Sequence, residues 1–191
     1  MTKRLPRATK IMLVRHAEKP ATDLSPYGVT LEGERSKESL APRGWQRAGA
    51  LANLLAPSNR RFQHHSLAQP KFIYTSKFIK RRGSRRPIET ITPLAEKLAI
   101  GINSNFPRFK FAEMLEEVFR CNGVVLICWQ REYIPKIAVE IVGNNTAIPQ
   151  VWPEERFDLI WVFDRDRPSA KYRFKQVPQR LLMGDQVTPI K

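Results

Sequence analysis

The chain has 191 residues, a length that suits one domain, and we expect a single domain over residues 1–191 with a basic tail at residues 1–9. Its 33 lysine and arginine residues exceed its 18 aspartate and glutamate residues, which gives a formal net charge of +15. The two cysteines, Cys121 and Cys128, fit neither a disulfide framework nor a zinc site. We therefore expect a cytoplasmic protein with no metal and no other cofactor.

The positive charge attracts anionic ligands and permits loose binding of nucleic acids or acidic membranes. Basic residues concentrate in residues 3–10, 60–61, 77–86 and 165–175. We interpret these stretches as solvated surface, so we expect no specific nucleic-acid recognition. The first apolar run is also too short for a signal peptide or a membrane span.

Hydrophobic periodicity predicts strands that alternate with helices. After the first strand, residues 19–40 show no clear period and are interpreted as a functional loop. In chain order we predict a strand at 11–14, helices and strands at 42–55, 71–76, 86–98, 109–120, 124–128 and 134–142, and two closing strands at 157–163 and 172–177. This alternation is typical of an α/β fold, a three-layer sandwich whose mainly parallel central sheet is flanked by helices.

The first apolar run ends abruptly at an adjacent arginine and histidine, Arg15 and His16. A continuous apolar run is typical of a parallel strand that is buried on both faces. Ligands of open α/β sheets bind beyond the carboxyl ends of the strands, so the two residues are candidates for an anion site. An ordinary strand-to-loop junction would instead leave them solvated, and this stretch alone does not decide between the two.

Two further blocks accompany Leu13-Val14-Arg15-His16 in a recognisable order. The second is Leu40-Ala41-Pro42-Arg43-Gly44-Trp45-Gln46-Arg47-Ala48. The third is Ile73-Tyr74-Thr75-Ser76, followed by Arg86 and Thr90. Together the blocks resemble the histidine phosphatase superfamily, the phosphoglycerate-mutase-like fold, over most of the chain. The resemblance implies a phosphatase that hydrolyses a phosphomonoester, from a small molecule or a phosphoprotein, through a phosphohistidine intermediate at His16.

These residue types suit phosphoryl transfer, in which fixed positive charge and positioning do most of the catalysis. Arg15 and Arg86 are the expected phosphate-binding groups because a guanidinium fork matches phosphate oxygens. The spacing to Thr90 favours Arg86 over its neighbour Arg85. His16 must attack as neutral imidazole, and we expect a hydrogen bond, to the backbone for example, to hold its other ring nitrogen.

The chain departs from the family pattern after the late strand, where members carry a second histidine. Here the stretch contains Gln130 and Arg131 instead, and we prefer Arg131 as the replacement. An arginine there can hold the phosphoryl group with equal charge and more donors, but it cannot release a proton. The alternative is therefore a catalytically impaired pseudophosphatase that binds phosphorylated ligands. The other two histidines, His64 and His65, are expected on a surface loop.

The general acid for the leaving group is open. Glu113 is our first candidate because the family often supplies an acidic residue in this region, and Glu18 is the alternative because it follows the nucleophile closely. A solvated carboxylate is the simpler interpretation of each. Cys128 is interpreted as a buried structural cysteine. The oligomeric state is not indicated.

Overall fold

The computed structural model describes residues 7–21, 25–80, 83–144 and 146–191. Its secondary structure alternates between strands and helices until the last two strands. In chain order the elements are β1 (Ala8–Arg15), α1 (Pro42–Leu55), β2 (Phe72–Ser76), α2 (Arg86–Leu98), β3 (Ile102–Phe106), α3 (Phe111–Val118), β4 (Gly123–Trp129), α4 (Ile134–Val142), β5 (Leu159–Asp164) and β6 (Arg173–Pro178). Prolines in the first turns of α1, α2 and α4 suit helix starts, where no backbone N–H bond is lost.

The strands form one six-stranded sheet in the order β3-β2-β4-β1-β5-β6. Strand β4 runs parallel to both β1 and β2, and β3 runs parallel to β2. Strand β5 is antiparallel to its neighbours β1 and β6. The prediction of a mainly parallel sheet in an α/β fold is therefore confirmed.

The helices cover both faces of the sheet. Alternate residues of a strand face opposite sides, so Met12 and Val14 of β1 pack with α1 and α2, whereas Ile11 and Leu13 pack with α3 and α4. The predicted three layers are present. No helix of the described residues is long and apolar enough to cross a membrane.

Two sequence predictions need correction. Residues 8 and 9, assigned to the basic tail, belong to β1; Ala8 is fully buried, pairs with Gly123 and accepts a hydrogen bond from the Tyr172 hydroxyl. Residues 1–6 of that tail lie outside the described residues. Strand β3 was not predicted at all, because its sequence Ile-Asn-Ser-Asn-Phe lacks an apolar run and it lies at the edge of the sheet.

Candidate functional site

The carboxyl ends of β2, β4 and β1 lie side by side because these strands are parallel neighbours. They end at Ser76, Trp129 and Arg15. The ladder continues one residue further, where the His16 backbone N–H donates to the carbonyl oxygen of Trp129 at 3.2 Å. Sheet pairing thus places His16 at the centre of this edge.

The imidazole of His16 is held by the backbone of the next residue. Its Nδ1 lies 2.7 Å from the carbonyl oxygen of Ala17, and the side chain is 6% exposed. A carbonyl oxygen only accepts, so Nδ1 carries the proton and Nε2 keeps its lone pair. The backbone bond expected from the sequence is present, and it leaves Nε2 as the unprotonated ring nitrogen.

The pKa of His16 is lowered to about 3, and burial is the largest cause. The nearby Arg15 guanidinium is the second cause, and Arg86 and Lys19 make smaller contributions in the same direction. The bond to Ala17 opposes this shift, because it favours the protonated ring. The imidazole is consequently neutral at physiological pH. This is the protonation state that an attacking histidine needs.

Arg15 is fixed by the loop that precedes β5. Its Nη1 donates to the carbonyl oxygens of Pro153, Glu154 and Arg156, and its guanidinium lies 3.8 Å from the ring centroid of Phe157. Burial lowers its pKa to about 10, with a further contribution from Arg131. Its Nε is buried and has no hydrogen-bond partner among the described residues, so one N–H of the fork is unused by the protein.

Arg86 begins α2 and is half-buried beside the loop that precedes α1. Its Nε donates to the carbonyl oxygen of Ser39 at 3.2 Å, and its Nη2 donates to that of Lys37. Burial lowers its pKa, and its charge in turn lowers the pKa of His16. Arg85 is exposed and stacks over Phe78 instead, with 4.7 Å between its guanidinium carbon and the ring centroid. The two neighbouring arginines therefore lie in different surroundings, and of the two only Arg86 donates side-chain hydrogen bonds to the loop that precedes α1 among the described residues.

Thr90 links α2 directly to the residue that holds His16. Its Oγ1 accepts from the Ala17 backbone N–H at 2.8 Å and donates to the Arg86 carbonyl oxygen at 2.6 Å. The N–H of Ala17 is thus fixed by Thr90, and its carbonyl oxygen by His16. Because Arg86 and Thr90 are four residues apart on α2, the Thr90 hydroxyl can bond both the Arg86 carbonyl oxygen and the Ala17 N–H.

Gln130 and Arg131, the two candidates for the missing histidine, occupy different surroundings. Gln130 is 5% exposed, and its Nε2 donates to Ser76 Oγ at 2.7 Å. The Arg131 side chain is 36% exposed, and its Nη2 lies 3.4 Å from a carboxylate oxygen of Glu154 that is itself exposed. The preferred replacement, Arg131, lies at the rim of the site, whereas Gln130 lies in its buried part.

The carboxylates proposed as general acids are both engaged elsewhere. The Glu113 side chain, in the first turn of α3, is 56% exposed and pairs with Lys110 at 2.8 Å. Glu18 lies 2.8 Å from Arg47 in an ion pair whose arginine is buried. No contact among the described residues joins either carboxylate to His16, so the acid stays a sequence-based prediction.

The buried Arg47 was not recognised from the sequence as a structural residue of this site. Besides Glu18 it binds Asp185 at 2.7 Å and Gln179 at 3.0 Å, which ties the C-terminal segment to the loop after His16. Burial lowers the pKa of Arg47, but its hydrogen bonds to Asp185 and Glu18 outweigh burial and raise the pKa above its ordinary value. No local sequence pattern predicts this cluster, because Arg47 and Asp185 are 138 residues apart in the chain.

Cys128 is fully buried, and burial raises the pKa of its thiol, which agrees with a structural role. Within the described part of the chain, no group of three or more His, Cys, Asp or Glu side chains could hold a metal ion. His65 is exposed and stacks on His64, on the loop between α1 and β2. At the sheet edge, therefore, a buried neutral imidazole lies close enough to the guanidinium groups of Arg15 and Arg86 for both to lower its pKa.

The sequence matches no protein-family model and no curated protein, but the fold has solved counterparts. SixA of Agrobacterium tumefaciens, assigned as a phosphohistidine phosphatase, superposes with a TM-score of 0.54 at 18% identity, covering 87% of this chain and 96% of that one. The protein histidine phosphatase SixA in complex with tungstate gives 0.53 at 16% identity, with coverages of 89% and 97%. A phosphoserine phosphatase variant of Entamoeba histolytica, in complex with phosphoserine, gives 0.54 at 12% identity, with coverages of 91% and 99%. These likenesses confirm the fold that the three sequence blocks implied.

Proposed function

We propose that this protein, which has the phosphoglycerate-mutase-like fold of the histidine phosphatase superfamily, hydrolyses phosphomonoesters through a phosphohistidine at His16. The observation that supports this most strongly is the state of His16, a buried neutral imidazole whose Nδ1 is bonded to the Ala17 carbonyl oxygen. An ordinary strand-to-loop junction would instead leave the histidine solvated, without burial or a fixed hydrogen bond to its ring. The two flanking arginines, Arg15 and Arg86, supply the positive charge that a phosphoryl group requires.

In the first step, Nε2 of His16 attacks the phosphorus atom and the bond from phosphorus to the leaving oxygen breaks. The ring then carries a positive charge, and its Nδ1–H donates more strongly to the Ala17 carbonyl oxygen. The leaving oxygen takes a proton, for which Glu113 is the proposed donor. Among the proposed site residues Glu113 has the least structural support, because its exposed carboxylate is paired with Lys110.

The arginines have separate tasks in this proposal. Arg15 offers its buried Nε–H, which has no partner in the part of the chain that the structure describes, while its Nη1 stays bonded to the carbonyl oxygens of the loop at 153–156. Arg86 donates from Nε and Nη2 to backbone carbonyl oxygens. Its Nη1 makes no hydrogen bond in the described part of the chain, and we assign this group to a phosphate oxygen. Arg131 is proposed to reach the phosphoryl group from the rim after it releases Glu154.

The proposed substrate is a phosphorylated small molecule or a phosphoprotein. Among the structural counterparts, SixA is assigned to phosphohistidine and the Entamoeba enzyme was solved with phosphoserine, so both classes occur on this fold. The rim contributes cations, including Lys19 and Arg131, that attract a dianion.

The test compares the native protein with His16→Ala in hydrolysis of p-nitrophenyl phosphate. We expect the variant to lose at least a thousandfold in kcat, since the nucleophile is removed. His65→Ala is the matched control, because this exposed histidine lies on a different loop and its removal should leave kcat unchanged. Equal rates for native protein and His16→Ala would refute the proposed nucleophile.

The pseudophosphatase alternative has no support from the solved counterparts, and it makes a different prediction for Arg131. If the protein is active and Arg131 binds phosphate, Arg131→His should lower kcat/KM about tenfold or more, since a neutral imidazole replaces a fixed charge. A large gain in turnover would instead indicate that the natural protein is impaired. The same p-nitrophenyl phosphate assay distinguishes the two results.

A further inference from the structure

Gln130 lies beside the nucleophile by virtue of the sheet register. Trp129 and Arg15 are paired residues of the parallel β4 and β1 strands, so the residues that follow them, Gln130 and His16, are neighbours at the next position. Adjacent strands lie about 4.8 Å apart. Cys128 and Val14, two residues earlier on each strand, both belong to the core beneath α1 and α2, so alternation places Gln130 and His16 on that same face.

Only one of the two polar atoms of the Gln130 amide has a hydrogen-bond partner among the described residues. Its Nε2 donates to Ser76 Oγ at 2.7 Å, whereas its Oε1 is buried and has no hydrogen-bond partner among the described residues. Buried polar atoms in folded proteins are nearly always paired, so an unpaired carbonyl oxygen beside a reactive side chain calls for a ligand that donates. Because the bond to Ser76 fixes the amide plane, Oε1 keeps one direction.

The ligand that can donate a hydrogen bond to Gln130 Oε1 depends on the stage of the reaction. A phosphoryl dianion is rich in acceptors and poor in donors, so it does not suit a carbonyl oxygen. Water has two O–H groups, and a glutamine side chain that accepts from water can orient it for attack on phosphorus. Arg131 cannot take this part, because a guanidinium group has donors only and this one lies at the rim.

We propose that Gln130 Oε1 accepts a hydrogen bond from the water molecule that hydrolyses the phosphohistidine, a role that rests on the proposed function. In this step the water oxygen bonds to phosphorus as the bond between phosphorus and His16 Nε2 breaks. The electron pair of the broken bond returns to Nε2, and both water protons leave with the phosphate as H₂PO₄⁻. His16 is then again neutral, with its proton on Nδ1.

The variant Gln130→Met removes Oε1 while keeping the length of the side chain. Its phosphorylation step should be retained and its hydrolysis step slowed about tenfold to a hundredfold, so that water attack becomes rate-limiting. In rapid-mixing experiments with p-nitrophenyl phosphate, the variant should release a burst of nitrophenol equal to the enzyme concentration. Phosphohistidine should accumulate in the same samples, as measured by ³¹P NMR after alkaline quenching.

Two further variants keep the test decisive. Gln63→Met makes the same chemical change at an exposed glutamine on another loop and should behave as the native protein. Gln130→Glu retains an acceptor oxygen and should hydrolyse its phosphohistidine faster than Gln130→Met does. If the methionine variant folds poorly, Gln130→Glu is compared with the native protein instead, and loss of phosphohistidine hydrolysis despite its acceptor oxygen would refute the role of Gln130.

The outcomes separate this proposal from the one on which it rests. If the native protein forms phosphohistidine and Gln130→Met hydrolyses it at the native rate, the role of Gln130 is refuted while the function stands. Slow phosphorylation with unchanged hydrolysis also refutes the role of Gln130. If no phosphohistidine forms in any variant and p-nitrophenyl phosphate is not hydrolysed, the proposed function itself fails.

Discussion

The bond between Thr90 and the loop after β1 offers the sharpest test of how the fold positions His16, the proposed nucleophile. Thr90 is 1% exposed, and its Oγ1 accepts from the Ala17 N–H at 2.8 Å. Ala17 in turn holds Nδ1 of His16. The variant Thr90→Val replaces the hydroxyl with a methyl group of similar size, so it removes this acceptor with little change in packing.

The expected magnitude follows from the burial of Ala17, which is fully inaccessible to solvent. A buried N–H left without an acceptor costs about 1–3 kcal/mol, and the added methyl group returns up to about 0.8 kcal/mol through apolar burial. We expect a net loss of about 1–2 kcal/mol in the free energy of unfolding. We also expect kcat to fall about a hundredfold, since displacement of a catalytic group by about 1 Å has such an effect.

Thr92→Val is the matched control on the same helix. Thr92 Oγ1 donates to the carbonyl oxygen of the residue four positions earlier, Ile88, at 2.8 Å, as Thr90 does to Arg86. It is half-buried, and no hydrogen bond joins its side chain to the loop after β1 among the described residues. Urea denaturation and p-nitrophenyl phosphate turnover are measured for both variants. Equal kcat in the two variants would refute the positioning role of Thr90.

Two further predictions concern His16 and Glu113. The pKa of His16 is about 3 in the folded protein and about 6.5 when unfolded, so its contribution to stability is complete above pH 6.5 and is lost as the pH falls towards 3. Native protein should therefore lose up to about 1.4 kcal/mol per pH unit more than His16→Asn between pH 6 and 4 in urea titrations, and equal slopes would contradict the burial of a neutral imidazole. Glu113→Gln should slow hydrolysis of an alkyl phosphate about tenfold or more but leave p-nitrophenyl phosphate nearly unaffected, because only the poor leaving group needs a proton. Equal effects on both substrates would remove Glu113 as the general acid.

Local sequence patterns were sufficient to predict most of the sheet. Fully apolar runs identify β1 and β4 because both faces of these central strands are covered by helices. Strand β3 escaped prediction because an edge strand with one neighbour and polar residues has no such pattern. Residues 8 and 9 were misassigned because charge, rather than strand pairing, was used to define the tail.

In the candidate site, too, features within short motifs could be predicted from the sequence, whereas contacts between distant residues could not. Arg15, His16 and Arg86 could be proposed as site residues from the sequence because each lies at the end of a strand or the start of a helix, within a short motif. The bonds of Arg15 to the loop at 153–156 could not be predicted, since they join residues 138 to 141 positions apart. The same holds for the ion pair of Arg47 with Asp185.

The sequence by itself identified the residues proposed as nucleophile and phosphate-binding groups, because residue type and strand position depend on local chemistry. Only the tertiary structure decided how these groups are protonated and oriented. The low pKa of His16 depends on burial, and its tautomer depends on the carbonyl oxygen of Ala17, a residue whose backbone N–H is bound by Thr90 of a distant helix. The division between a buried Gln130 and a rim Arg131 likewise arises from sheet register and packing, which involve strands far apart in the chain.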